Sequence, residues 1–214
     1  MPPEDRLVCR FIAEPPQEGA PYGRWADTLR AEFLAACERI DSGDDDLGEA
    51  GELVFFPDRT WAGRTYVPVT SRSTTGLDLY GYVAYSPGDA EHEPGDFEAM
   101  ADYTDETAEA NPDWKLDLCE EVIGGWRGEH GQVAAMTLVW GVPMKPGGAI
   151  ATAELAGLAV DQCALVGDRF TLLAPDAYRG DYLDIKLWSA GGAELASESL
   201  YSEDDEDEDE EDEG

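Results

Sequence analysis

Basic residues are scarce in this sequence: 14 Lys and Arg stand against 48 Asp and Glu, and the formal net charge at pH 7 is −34. Only three of the bases are lysines, at positions 115, 145 and 186. Proteins hold the phosphates of nucleic acids and anionic lipids with Lys and Arg, whereas a strongly negative chain repels them. We therefore predict no direct binding to nucleic acid and none to a membrane.

Long hydrophobic runs are also lacking, because no stretch approaches the ~20 consecutive apolar residues that a membrane helix requires. The first five residues lack the basic and apolar regions of a signal peptide. The four cysteines are far apart, and each lies among apolar residues. This pattern is typical of buried thiols in a reducing compartment, so we expect a cytoplasmic protein.

The sequence lacks the short motifs of the common enzyme and metal-binding classes: a nucleophile elbow, a His-Glu-x-x-His helix, a Cys-x-x-Cys pair, a phosphate-binding glycine loop and a calcium loop. We predict no cofactor and no metal site, and an enzyme is the less favoured hypothesis. If an active site exists, Cys119, Glu121 and His130 supply a thiol, a carboxylate and an imidazole within one short segment. The alternative is a core helix followed by a loop.

Acidic residues are present in two places. Residues 203–213 are an unbroken run of 11 carboxylates, and the rest of the chain still carries 37 acidic and 14 basic residues. The run has no apolar surface to offset the entropy of ordering, so residues 202–214 are predicted to be a disordered tail. Residues 1–201 are predicted to form a single domain, which is itself acidic.

The first half of the chain shows one helical pattern and several strand patterns. From Trp25 onward, apolar residues recur at steps of three and four, which predicts a helix. Residues 6–14 have the composition of a strand that stops at two prolines. Residues 53–56, 64–72 and 77–86 predict an antiparallel meander. Alternation in the last of these places apolar residues on one face and tyrosines on the other, which predicts a half-covered sheet.

Further helices are predicted at residues 96–104, from Pro112 to about residue 126, and at residues 151–159. Residues 132–142 form a continuous apolar run, which predicts a strand at the centre of the sheet, covered on both faces. Strands are predicted at residues 158–166, 169–174, 182–189 and 194–201, the last at an edge. The expected fold class is α+β: a mixed, mainly antiparallel sheet with two or three helices packed largely on one face.

Candidate partner-binding residues occur at two places. Trp61 lies in a predicted hairpin loop between Arg59 and Arg64, which is unusual in so acidic a protein, although both arginines can pair with nearby carboxylates instead. In the tail the candidates are Glu203, Asp204 and Asp205.

The charge favours a protein-binding module for a basic partner, as in inhibitors, immunity proteins, nucleic-acid mimics and histone-type chaperones. Two alternatives stay open. One is a small-molecule-binding domain or an enzyme without a readable motif. The other is that the acidity serves only solubility or salt adaptation. The oligomeric state cannot be read from the sequence.

Overall fold

The computed structural model describes residues 25–88, 93–127, 133–177 and 181–200. These residues form one α-helix and twelve β-strands, and no helix among them is long and apolar enough to cross a membrane. In chain order the elements are α1 (Ala26–Cys37), β1 (Ala50–Phe55), β2 (Arg59–Trp61), β3 (Arg64–Ser73), β4 (Asp78–Ser86), β5 (Gly95–Thr104), β6 (Leu116–Arg127), β7 (Val133–Pro143), β8 (Gly148–Leu155), β9 (Leu158–Ala164), β10 (Phe170–Asp176), β11 (Leu183–Ser189) and β12 (Glu194–Ser199).

The predicted α+β class is wrong, because the described residues form three antiparallel sheets with a single helix. The helix expected at residues 96–104 is β5, the helix expected from Pro112 is largely β6, and the helix expected at residues 151–159 is divided between β8 and β9. In each case the apolar spacing or helical composition was outweighed by pairing with a neighbouring strand along most of the segment.

Each sheet has a simple strand order. In the first sheet the order is β1-β3-β4-β5, and β2 also pairs with β3. In the second sheet the order is β10-β7-β6, and in the third it is β12-β11-β8-β9. Among the described strands, β5 and β6 therefore lie at the edges of the first and second sheets.

The helix and the three sheets stack as successive layers. Leu29 and Phe33 of α1 pack on Val67 and Val83 of the first sheet. The opposite face of the first sheet packs on the second sheet, which in turn packs on the third. In β7, neighbouring Val139 contributes to the core with the third sheet and Trp140 to the core with the first, and both are fully buried.

Several sequence predictions are confirmed at the level of single elements. The helix from Trp25 is α1, the meander is β1, β3 and β4, and residues 132–142 contain the middle strand of the second sheet. The last predicted strand is the edge strand β12. The half-covered sheet predicted from the alternation in β4 is wrong, because its tyrosine face is covered by the second sheet. The predicted strand at residues 6–14 and the predicted disordered tail lie outside the described residues.

Candidate functional site

A cleft of about 420 Å³ opens between the first and second sheets. Strands β1, β3 and β4 form one wall, β6 and β7 form the other, and the segment joining β5 to β6 closes one side. The lining residues are Val54, Phe56, Thr70, Ser71, Asp78, Tyr80, Thr104, Glu106, Trp114, Asp117, Leu118, Cys119, Glu120, Gly141 and Val142. Four carboxylates and two large polar aromatic side chains therefore share one concavity.

Strand alternation explains why polar groups reach the cleft. Tyr80 lies on the face of β4 that packs on the second sheet, and its ring centroid is 6.4 Å from that of Trp140. On β6, Cys119 contributes to the same core and Asp117 lies two residues away, so both lie on the face directed at the first sheet. At Gly141 of β7, a side chain would collide with the backbone oxygen of Asp117. This glycine lets the two strands approach closely beside the cleft.

The carboxyl group of Asp117 is partly buried, and its pKa is shifted. Burial raises its pKa above the ordinary value, and the neighbouring carboxylate of Asp78 raises it further. Asp78 has a basic partner, because Arg72 Nη1 lies 2.8 Å from its Oδ1. No Lys or Arg within the described ranges forms an ion pair with Asp117. Among the described residues, the cleft therefore contains a carboxylate that no Lys or Arg neutralises.

The phenol of Tyr80 and the thiol of Cys119 at the cleft stay protonated at neutral pH. Burial, followed by the charges of Asp102 and Glu121, raises the pKa of Tyr80 to about 12. Burial also raises the pKa of the Cys119 thiol strongly, and Asp117 is the first of the carboxylates that add to this effect. Tyr80 is consequently a neutral hydroxyl that can donate a hydrogen bond, and Cys119 is a thiol and not a thiolate.

The negative surface continues past Thr104, which lines both this cleft and a neighbouring depression. The depression is also lined by Asp45, Asp46 and Asp105. Tyr103 donates a hydrogen bond of 2.8 Å to a carboxylate oxygen of Asp45. Within the described part of the chain, no group of three or more His, Cys, Asp or Glu residues is arranged to hold a metal ion.

The structure places two of the three candidate catalytic residues near each other. Cys119 lines the cleft, and Glu121 follows it on the same face of β6 but does not line the cleft. Burial raises the pKa of Glu121 to about 7, and Asp102 on β5 contributes to the shift. His130 lies outside the described residues, so the predicted grouping of three stays a prediction.

The candidate partner-binding residues of β2 and β3 do not form one continuous surface. Arg59 is 2% exposed and pairs with Asp161 inside the protein. Trp61 is partly buried, and its ring lies directly over Gly124 of β6. Arg64 pairs with Glu98 at 3.3 Å. Both arginines therefore have a carboxylate partner within the protein. The tail candidates Glu203, Asp204 and Asp205 lie outside the described residues.

Sequence reasoning did not identify Tyr80, Trp114 or Asp117 as neighbours. The alternation in β4 did indicate a tyrosine face, which was a usable signal for Tyr80. Asp117 was hidden because its segment was assigned to a helix, where residues 117, 119 and 121 do not share a face.

Comparison with known proteins gave no relative: no family model, no curated protein and no solved structure matches this chain. The function of this protein therefore has to be inferred from the chemistry of the cleft and of the surface around it.

Proposed function

We propose that this protein is a binding module for a basic protein partner, and that the cleft between the first and second sheets receives a cationic side chain of that partner. One observation carries the proposal: Asp117, partly buried and without a basic partner in the described residues, shares a cleft with Trp114 and Tyr80.

A cation bound in the cleft would relieve the repulsion between the neighbouring carboxylates of Asp78 and Asp117. The charge of Asp78 helps to raise the pKa of Asp117, and of these two carboxylates only Asp78 pairs with Arg72. A Lys or Arg side chain entering the cleft would make a charge-assisted hydrogen bond with Asp117. The aromatic side chains of Trp114 and Tyr80 would attract the same cation through their electron-rich faces.

The extent of the charged surface favours a protein over a small organic cation. The adjoining depression adds three aspartates to the four carboxylates of the cleft. A small ligand would touch only the cleft, whereas a basic protein would be steered by the whole field and would contact both concavities.

The state of Cys119 favours binding over covalent catalysis. A cysteine nucleophile needs a lowered pKa, which comes from a cationic neighbour or a helix N-terminus. Cys119 has the opposite environment, because burial and neighbouring carboxylates both raise its pKa. The thiolate form is therefore disfavoured at neutral pH.

Isothermal titration calorimetry with nona-arginine as the probe tests the proposal, with nona-glutamate as the reference peptide. We expect Asp117→Asn to weaken nona-arginine binding about tenfold and Trp114→Ala to weaken it by a similar factor. The matched control is Asp113→Asn, which removes the same charge four residues earlier, at an exposed position outside the cleft. It should change the affinity less than about twofold.

Binding should also weaken strongly between about 0.05 and 0.5 M NaCl, because salt screens the long-range part of the attraction. Equal losses of nona-arginine affinity in Asp117→Asn and Asp113→Asn would mean that the peptide binds the negative charge in general and not the cleft. That result is expected if acidity serves only solubility or salt adaptation. Competition by tetramethylammonium with the same dependence on Trp114 would favour a small organic cation instead. Either result contradicts the proposal.

A further inference from the structure

The first sheet projects beyond the sheet that packs against it. Among the described residues, its strand path from β1 to β5 is four strands wide, whereas the second sheet has three strands. Strand β2 lies near β10 at one side of the two sheets, and β4 lies near β6 at the other. Strand β5 follows β4 in its sheet, and β6 is the last strand of the second sheet. Strand β5 therefore extends past β6.

The face of β5 that is directed at the second sheet is not covered by any described strand. Glu98 and Asp102 lie on this face, because they stand in register with Ala84 and Tyr80 of β4, which contribute to the core between the two sheets. Both acidic residues are nevertheless exposed, and the side chain of Glu98 is 74% exposed. The position opposite β5 is therefore open in the described part of the protein.

Strand β6 borders this position with an unpaired edge. It is twelve residues long, and its strand partner among the described residues is β7 alone. The backbone N–H and C=O groups along such an edge are available to pair with another strand. Glu121 of β6 faces the first sheet, and Val122 beside it faces the other way and is 60% exposed.

We propose that a basic segment of a partner protein pairs as a β-strand with the open edge of β6 and lies opposite β5. The segment takes the place of a fourth strand in the second sheet. Its alternate side chains bring positive charge to Glu98, Asp102 and Glu121. The inference rests on the proposed function for the basic character of the partner, but it concerns a surface outside the cleft.

The spacing of the carboxylates fits an extended strand. Glu98 and Asp102 are four residues apart on β5, which corresponds to about 13 Å. Side chains on one face of an added strand recur about every 7 Å, so basic residues at alternate positions match this distance. Stacked sheets lie about 10 Å apart, and long side chains from both sides can bridge that gap. Main-chain hydrogen bonds to an edge strand supply affinity, and the alternate side chains supply specificity.

The carboxylates have few cations of their own. Glu98 pairs with Arg64 at 3.3 Å, and Asp102 forms no ion pair with a Lys or Arg of the described residues. Asp102 also contributes to the raised pKa of Glu121, so the two negative charges oppose each other. A basic side chain placed between these two groups would offset their repulsion.

The occupant should alternate basic and apolar residues. Its face opposite the basic side chains would lie beside Val122, which favours a branched apolar residue there. A second copy of this chain is a poor occupant, because its net charge is −34 and the strands β5 and β6 carry several of its carboxylates.

Two peptides of equal composition test the alternation, both with blocked ends. We expect Val-Arg-Val-Arg-Val-Arg-Val to bind the full chain at least fivefold more tightly than Val-Val-Arg-Arg-Arg-Val-Val, measured by calorimetry in 0.05 M NaCl. N-methylation tests the backbone pairing, because alternate N–H groups of a strand point to the same side. Methylation of either the three arginines or the last three valines should weaken binding at least tenfold, and the other pattern should weaken it less than threefold.

Protein variants separate this surface from the cleft. Asp102→Asn should weaken binding of the alternating peptide about tenfold, whereas Asp117→Asn should weaken it about twofold or less. The matched control is Asp27→Asn, at an exposed position of α1, which should also change the affinity less than twofold. Saturation with the peptide should slow amide hydrogen exchange of β6 at least tenfold and leave the edge strand β12 unchanged.

Three outcomes would overturn the inference. The first is equal affinity for the alternating and clustered peptides, or equal effects of the two methylation patterns. The second is a loss of peptide binding in Asp117→Asn and not in Asp102→Asn, which would place the peptide in the cleft and leave the proposed function standing. The third is slow exchange of β6 without peptide that becomes fast as sedimentation shows a dimer dissociating, since a second copy would then occupy the edge.

Discussion

Arg59 on β2 and Asp161 on β9 form a buried ion pair that joins all three sheets. Arg59 donates from Nη2 to Oδ2 of Asp161 at 2.6 Å, and the same oxygen accepts the backbone N–H of Leu173 on β10 at 2.8 Å. The side chains are 1% and 7% exposed. Burial raises the pKa of Asp161 and outweighs the lowering by Arg59, so the pair costs desolvation that its mutual attraction must offset.

Removing one partner of this pair should be much more harmful than removing both. We expect Asp161→Ala to lower the free energy of unfolding by about 3–5 kcal/mol, because it leaves the Arg59 guanidinium buried and unpaired. The apolar double variant Arg59→Met/Asp161→Leu should recover most of that loss. Urea unfolding followed by tryptophan fluorescence measures both effects, with Asp113→Ala as the exposed control. A single variant as stable as the control would show that the ion pair is not required.

The contact between Trp61 and Gly124 predicts an unequal response of two adjacent glycines. A Cβ atom at Gly124 would lie 2.7 Å from ring atoms of Trp61, whereas a Cβ at Gly125 meets nothing within 4 Å. We expect Gly124→Ala to destabilise the protein by about 1–3 kcal/mol through overpacking. Gly125→Ala should be neutral or slightly stabilising, because alanine costs less conformational entropy than glycine.

Thermal unfolding of the two alanine variants, side by side, makes this comparison. If the clash is the cause, adding Trp61→Ala to Gly124→Ala should relieve the overpacking, whereas adding it to Gly125→Ala should only lose packing. Equal melting temperatures for the two glycine variants would contradict the contact.

The raised pKa of Glu121 predicts a loss of stability on the alkaline side of its titration. Its pKa is raised from 4.5 to about 7 by burial and by Asp102. The folded protein therefore binds this proton more tightly than the unfolded chain, so the contribution is fully favourable below about pH 4.5 and is lost as pH rises towards 7. The half-exposed side chain reduces the effect to about 1 kcal/mol.

Glu121→Gln removes this titration and should stabilise the protein at pH 8 relative to pH 5, when each is compared with the native chain. Urea unfolding across pH 4.5–8 gives the profile. Tyr80 and Tyr82 also face this group, but they stay protonated throughout the range because their pKa values are raised from 10. The control is Glu52→Gln, at an exposed position on β1. A difference between native and Glu121→Gln that does not change with pH would contradict the assignment.

The elements whose local sequence pattern agrees with their packing were predictable from the sequence. In α1, Leu29 and Phe33 are spaced by four and both bury against the first sheet, so periodicity and packing agree. The meander was predictable because its segments are rich in β-branched and aromatic residues and a short turn joins β3 to β4.

The segments that became β5 and β6 were not predictable by the same reasoning. Phe97 and Met100 have helical spacing, yet they lie on opposite faces of a strand. Gly124 and Gly125 would weaken a helix, but in β6 they follow a register shift, and Gly124 gives room to Trp61. The choice between helix and strand depended on β4 and β7, which are distant partners that no local window contains.

The candidate site was predictable only in its composition. Composition alone determined that the protein is acidic throughout, and that any partner attracted by its charge must be basic. Tertiary structure decided where that charge is concentrated: stacking of the first two sheets brought Asp117 of β6 beside Asp78 of β4 in one cleft. It also placed Arg59 in the interior, since a charge 102 residues away in sequence met it there. Net charge is a sum over residues, whereas the burial and pairing of each charge depend on contacts that exist only after the chain has folded.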